Sequence, residues 1–211
     1  MDGRQNVNKL KALSVLFRCA ELYRDNLVGN NLMFVCADKH LNVKMFPVAF
    51  LTGNFMHLTG VKFRGKTPAS VAFYNVCLDK RLSAEDFEMA TDGTTELKLR
   101  VLPALFKSNL SATMVGTYKG DRPKLETDRL AGGVKACMGF VLSQETQFYV
   151  PNTVLNEDVR DVTSSKLRII ATFRKMIDEE RYYERVYLAK KVKWDHVKLP
   201  SEYSYLDIPT E

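Results

Sequence analysis

The chain has few of the residues and runs on which several common functions depend. Its 211 residues include only four cysteines, which lie far apart in apolar surroundings with no pair at metal-ligand spacing. No stretch approaches the roughly 18 apolar residues of a membrane span, and the polar N-terminus lacks the apolar region of a signal peptide. We therefore expect four reduced thiols in the core of a cytoplasmic protein with no membrane partner.

Motifs of the common nucleotide-dependent and hydrolytic enzymes are also absent. There is no Gly-x-Gly-x-x-Gly or phosphate-loop segment, and no Gly-x-Ser-x-Gly elbow. The acidic run Asp178-Glu179-Glu180 is typical of a turn between strands, and we find no set of inward carboxylates that could hold two metal ions. The sequence therefore predicts neither a cofactor nor a bound metal.

Positive charge is unevenly distributed along the chain. The formal net charge is +6 at pH 7, and residues 160–200 hold eleven Lys or Arg against six Asp or Glu, whereas residues 201–211 are acidic. Neutralisation of phosphates by such cations drives affinity for nucleic acids, so this region suits a polyanionic partner. The alternative is a soluble protein that is merely basic, and charge alone leaves both interpretations open.

Local patterns predict helices mainly in the first half of the chain and strands mainly in the second. Apolar residues recur at helical spacing over residues 7–27, and Thr67-Pro68 is a typical start for a helix over Ala69–Leu78. A third helix is expected at about residues 96–107, with Pro103 kinking or interrupting it. Strands are predicted at residues 32–37, 41–50, 112–119, 134–142, 146–150, 167–176 and 182–191, with a flexible loop at 120–133. This order indicates an α+β fold with an antiparallel sheet.

The last two predicted strands suggest a binding surface. Period-two alternation places one set of side chains on each face of a strand. The face opposite the core would carry Arg, Thr and Tyr side chains, which can hold phosphates and stack on bases. The alternative is a solvated face covered by long side chains. The candidate RNA-binding residues are Arg168, Thr172, Arg174, Arg185 and Tyr187.

Of the three histidines, His57 has the most suggestive surroundings. It lies in the segment GNFMHLTGV, between a predicted strand and a predicted helix, whereas His40 lies in a predicted turn and His196 near the C-terminus. Thr59 places a hydroxyl nearby, and Gly60 permits a tight turn. An imidazole in such a position suits proton transfer near neutral pH. The alternative is a structural histidine that is hydrogen-bonded to a backbone group.

Several segments, taken in order, resemble the phage Barnase–EndoU–colicin–RelE-like nuclease domains. The most specific is Phe55-x-His57-Leu58-Thr59-Gly60, which matches the Phe-x-His-Leu-x-Gly segment of that group. Shorter matches extend the resemblance over roughly residues 30–192. They are Ala72-Phe73-Tyr74, Thr94-Thr95 with Lys98, Gly116-Thr117-Tyr118, Met138-Gly139-Phe140, Pro151-Asn152, Lys175 and Tyr183.

The resemblance implies a fold and a domain division. The fold would be α+β, with N-terminal helices packed on a four- to five-stranded antiparallel sheet. Residues 1–30 would form an N-terminal helical segment, residues 31–195 a ribonuclease-like α+β domain, and residues 196–211 an acidic C-terminal tail. RNA would be the substrate.

The resemblance also implies a reaction that needs no metal. A base takes the proton of the ribose 2′-OH, the oxygen attacks the adjacent phosphorus, and an acid protonates the leaving 5′-oxygen, while cations stabilise the phosphorane. One difficulty is that Lys175 falls on the apolar side of its predicted strand. The candidate catalytic residues are His57, Lys98, Tyr118, Lys175 and Tyr183.

Two functions stay open on this basis. One is an endoribonuclease of a phage or mobile element, acting as a toxin or in attack or defence, with an inhibitor or antitoxin protein as a further partner. The other is a non-catalytic nucleic-acid- or protein-binding module on the same scaffold, such as an inhibitor of host immunity. Convergence of the candidate catalytic residues would favour the enzyme, and their separation would favour the binding module.

Overall fold

The computed structural model of the protein describes residues 3–64, 69–120 and 125–209, with side chains from residue 8 onward. The predicted helix start at Thr67-Pro68, and residues 121–124 of the predicted flexible loop, lie outside these ranges. The helices are α1 (Gly3–Asn26), α2 (Asn54–Thr59), α3 (Ala69–Leu78), α4 (Thr94–Leu105) and α5 (Val159–Val162). The strands are β1 (Asn30–Ala37), β2 (Val43–Ala49), β3 (Lys62–Phe63), β4 (Phe87–Glu88), β5 (Met114–Tyr118), β6 (Arg129–Gly132), β7 (Cys137–Leu142), β8 (Tyr149–Leu155), β9 (Thr163–Met176) and β10 (Glu184–Leu188).

Seven of the described strands close into a mixed barrel. Their order is β1-β2-β8-β7-β6-β5-β9, and β9 returns to pair with β1. The neighbours are antiparallel except β2 and β8, which are parallel where Val48 lies opposite Tyr149. Strand β10 extends the sheet from β9, while β3 and β4 form a separate pair. Closure of the ring removes the free edges of an open sheet.

The predicted four- to five-stranded antiparallel sheet is wrong, and β9 provides the main physical reason. This strand has 14 residues. Its first part pairs with β5, and its last part pairs with β1 along one edge and with β10 along the other. The parallel contact between β2 and β8 then completes the ring. These pairings join segments that are far apart in sequence, and local alternation contains no information about them.

A continuous apolar core fills the barrel and joins it to helices α1–α4. Leu32, Phe34 and Cys36 of β1 point into it, as do Phe46 and Val48 of β2. All four cysteines are free and buried, as predicted, and burial raises the pKa of each thiol to about 12. The helices therefore continue the interior of the barrel; they do not cover one face of an open sheet.

A second apolar cluster covers the outer wall of the barrel. It contains every second residue in part of β1 together with residues from the last half of β9. Residues that follow β10 pack over this cluster, and among them Val197 and Leu206 are buried. Thr172 is fully buried, opposite Phe34 in the barrel wall. The open face that alternation predicted along β9 is therefore wrong: this strand is covered on both sides over its last half.

Candidate functional site

The segment around His57 forms the short helix α2 at one end of the barrel. The side-chain oxygen of Asn54 accepts a hydrogen bond from the Leu51 N–H at 2.9 Å. Phe55 and Leu58 are buried in the core, whereas His57 is exposed. Because apolar residues on either side of it anchor the helix, the imidazole is presented to solvent from a fixed backbone.

Gly60 ends this helix and meets the side chain of Lys98. Its φ of 71° lies in the left-handed region, which glycine adopts without strain. A Cβ built on Gly60 would lie 2.9 Å from Cδ of Lys98 and 3.8 Å from its Nζ. Lys98, on α4, therefore crosses the backbone three residues after His57. Lys98 thus lies against the C-terminal end of α2, the helix that also carries His57.

Two threonines hold α2 and α4 in this arrangement. The hydroxyl of Thr95 donates to the Gly60 carbonyl at 2.8 Å and accepts from the Ala90 N–H at 2.9 Å. The hydroxyl of Thr59 donates to the Met56 carbonyl at 2.7 Å. Thr95 thus links the first turn of α4 to the end of α2.

Burial sets the electrostatic character of Lys98. Desolvation lowers the pKa of its ammonium group below the ordinary value, because removal from water disfavours the charged form. A partly dehydrated cation is a stronger partner for an anion than a fully hydrated one. Together, an exposed imidazole and such a cation can transfer a proton and stabilise a phosphorane.

The other candidate catalytic residues lie elsewhere in the structure. Tyr118 is half-buried against an apolar cluster around Leu130, apart from the cluster that contains the apolar neighbours of His57. Lys175 is buried on the outer wall, where its Nζ donates to the Glu179 carbonyl and lies 5.5 Å from the ring centroid of Tyr182. Tyr118 lies opposite Thr163, so twelve residues of β9, about 40 Å of strand, separate its position from Lys175.

Tyr183 and most of the predicted RNA-binding residues lie on or next to the paired strands β9 and β10, but their side chains have different surroundings. Tyr183 is 59% exposed just before β10. Arg174 forms an ion pair with Glu184 at 2.6 Å, and Arg185 forms one with Asp207 at 2.9 Å. Tyr187 is half-buried and packs against both main apolar clusters. These positions do not form the single open surface that the alternation predicted.

Arg168 is the exception among these residues. It lines a cavity of about 620 Å³ together with His40, His196 and several lysines. Sequence reasoning did not connect these residues because they come from the turn after β1, from β9 and from the segment after β10. The excess of positive charge in residues 160–200 was the one signal that pointed towards this cavity.

The described residues contain no helix long and apolar enough to cross a membrane, and no group of three or more His, Cys, Asp or Glu side chains arranged to hold a metal ion. Neither the curated proteins nor the solved structures contain a significant match to the chain. A family model described as phage-Barnase-EndoU-ColicinE5/D-RelE like nuclease4 matches residues 15–191. This match spans the second half of α1, the His57 segment and every strand of the barrel. The chain therefore belongs to this family of nuclease-like domains.

Proposed function

We propose that the protein is an endoribonuclease of a phage or mobile element, which cleaves RNA without a metal cofactor. The observation that carries this proposal is the position of Lys98 against Gly60, at the end of the helix that presents His57 to solvent, in a chain that belongs to a nuclease-like family. An exposed imidazole and a partly dehydrated cation on the same end of α2 are suited to promote attack of a ribose hydroxyl on the neighbouring phosphodiester.

In the proposed reaction His57 transfers the proton. As base it takes the proton of the 2′-OH, whose oxygen bonds to phosphorus while the bond to the 5′-oxygen breaks. As acid it protonates that leaving oxygen. The ammonium of Lys98 stabilises the extra negative charge on the phosphorane. Catalytic roles for Tyr118, Lys175 and Tyr183 stay a prediction.

A second candidate function is a non-catalytic RNA-binding module on the same scaffold. The separation of Tyr118 and Lys175 along β9, and the contact of the Lys175 ammonium with the Glu179 carbonyl, favour it. A ribonuclease that used all five candidate catalytic residues would need every one of them within reach of the same phosphate. The separation of Tyr118 from Lys175 is therefore easier to explain for a binding module.

The test compares the wild type with His57→Ala and His57→Gln, because glutamine retains hydrogen bonding but cannot exchange a proton. We expect RNA cleavage to fall by about 10²–10⁴-fold in both variants, with RNA affinity and melting temperature nearly unchanged. The products should carry 2′,3′-cyclic phosphate ends, a 2′-deoxy substitution at the cleaved position should block the reaction, and excess EDTA should not. If the wild-type protein cleaves no RNA, the non-catalytic RNA-binding module becomes the better explanation. Cleavage that EDTA stops and Mg²⁺ restores would refute the proposed reaction.

A further inference from the structure

Two adjoining cavities form a basic cleft at the end of the barrel where β1 finishes. Their volumes are about 620 and 470 Å³, and Asp38 and Lys166 line both. We use the name basic cleft for the residues that line these two cavities. Its cationic side chains are Lys39, Lys44, Arg129, Lys166, Arg168, Lys191 and Lys193, and its histidines are His40 and His196.

None of the lysines and arginines of the basic cleft forms an ion pair with a described carboxylate, and in this its two arginines differ from most other arginines of the described structure. Arg174, Arg160 and Arg185, by contrast, each have an acidic partner. Arg168 donates to the Lys190 carbonyl at 2.6 Å, and Arg129 donates to the hydroxyl of Thr117. These contacts orient the two guanidinium groups without neutralising them.

Asp38 is the one carboxylate among the described lining residues, so it offsets one of the seven positive charges of the basic cleft. It accepts hydrogen bonds from the backbone N–H groups of His40 and Asn42 and from the side-chain amide of Asn42, at 2.8 to 3.0 Å. It therefore serves to shape the turn after β1. Several unpaired cations in one concave surface form a strong site for a polyanion.

The backbone of the basic cleft is strained at three of its positions. Leu41, Ser165 and Lys191 have φ values of 64°, 46° and 58°, in the region that costs a non-glycine residue roughly 1–2 kcal/mol. All three line the cavities. Such conformations are concentrated at functional sites, where surrounding structure holds them in place. Three of the seven non-glycine residues with positive φ in the described structure therefore line this one surface.

The lining also offers apolar surface to a base. The half-buried Tyr149 lines the second cavity, and its ring packs on the buried ring of Phe46, with centroids 4.5 Å apart. Single-stranded nucleic acids are bound by grooves that combine cations along the backbone with aromatic rings that contact the bases. The basic cleft has both components, on a scale that suits a single strand.

We propose that the basic cleft binds the phosphodiester backbone of a single-stranded nucleic acid. This proposal rests on the proposed function in one respect, that the bound strand is the RNA substrate. The cleft lies at the end of β1 opposite to that of α2, so it holds the strand away from His57 and Lys98. It is a binding site for the substrate and not the place of cleavage.

The experiment measures binding of an uncleavable 2′-O-methyl RNA, so that a protein without nuclease activity still gives an answer. Lys166→Gln, Arg168→Gln and Lys193→Gln are combined in one protein. The matched control combines Lys11→Gln, Arg18→Gln and Lys107→Gln, which remove three exposed cations elsewhere. Affinities are measured from 0.05 to 1 M salt, with melting curves for each protein.

The expected result follows from counterion release. Each phosphate contact contributes a slope of about −0.7 to the dependence of log affinity on log salt. Loss of three contacts should reduce the slope by about 2 and the affinity at 0.15 M salt by about 50-fold. The control should change both far less, and DNA of equal length should bind the wild type within a few-fold of the RNA. Equal losses in both triple variants, or affinity that is independent of salt, would overturn the proposal, as would tight binding by an acidic protein but not by nucleic acid.

Discussion

Substitution of Gly60 by alanine gives the sharpest test of the geometry around His57. The new Cβ would lie 2.9 Å from Cδ of Lys98, whereas carbon atoms in contact are about 3.5–4.0 Å apart. The Lys98 side chain must therefore move by roughly 1 Å. Because it is long and flexible at this point, the movement adds little to the free energy of folding, but it displaces the ammonium group.

Gly29 provides a matched control. Its φ of 75° is close to the 71° of Gly60, and nothing lies within 4 Å of where its Cβ would be. Alanine should cost roughly 1–2 kcal/mol of stability at either position, since both pay the same backbone strain. Only Gly60→Ala should also slow RNA cleavage, by roughly 10²-fold, since a misplacement of about 1 Å can have that effect.

The assay pairs urea unfolding with single-turnover cleavage of a defined RNA. Two outcomes would refute the reasoning. Gly60→Ala with the cleavage rate of the wild type would show that the position of Lys98 does not matter to the reaction. Equal loss of rate in Gly29→Ala would show that the effect comes from lower stability.

Two further predictions concern single side chains. Because burial lowers the pKa of Lys98, cleavage that needs its charge should fall as pH rises through that lowered pKa. Lys98→Arg should shift this alkaline fall in the pH–rate profile to higher pH, because arginine keeps its charge. If the fall stays at the same pH, deprotonation of Lys98 is not its cause. The Thr172 hydroxyl is buried with no hydrogen-bond partner among the described residues, so Thr172→Val should raise the free energy of unfolding by roughly 1 kcal/mol. Denaturant unfolding measures this change, and a destabilised variant would show that the hydroxyl has a partner.

Most elements of the fold could be predicted because their signals are local. The predicted helix over Ala69–Leu78 agrees with α3, and the two strands around residue 40 agree with β1 and β2. The strand β6 was missed because its four residues, Arg129–Gly132, lie within a polar, glycine-containing stretch. The helix α2 was missed because a Thr-Gly-Asn run precedes its six residues.

The predicted face of β9 was wrong because alternation does not continue through a bulge. The register with β1 shifts between Val35 and Cys36. As a result Ile169 points into the barrel with Cys36, whereas Ala171 lies in the outer cluster with Val35. Sequence shows the composition of such a strand, but the side to which each residue points depends on the partner strand.

The functional regions also differ in how far the sequence alone could predict them. The motif around His57 is continuous in sequence, so its histidine and its glycine could be recognised from a short segment, although its helix was missed. The basic cleft is assembled from separate segments, and only barrel closure brings Lys44 of β2 close to Lys166 of β9. Local charge could indicate that a polyanion binds, but it could not indicate where.

Closure of the barrel also separates the two regions that the proposals assign to RNA. Strand β1 runs from Asn30, beside the end of β2 that leads into α2, to Ala37, which lines the basic cleft. At about 3.3 Å per residue this is roughly 25 Å. A stacked single strand advances about 3.4 Å per nucleotide, so about seven stacked nucleotides, or fewer in an extended strand, would separate a phosphate in the cleft from the bond beside His57. The cleft can therefore increase the capture of long RNA, but it contributes nothing to the cleavage of fragments too short to reach it. If both proposals hold, the protein would select RNA by length before it selects by sequence.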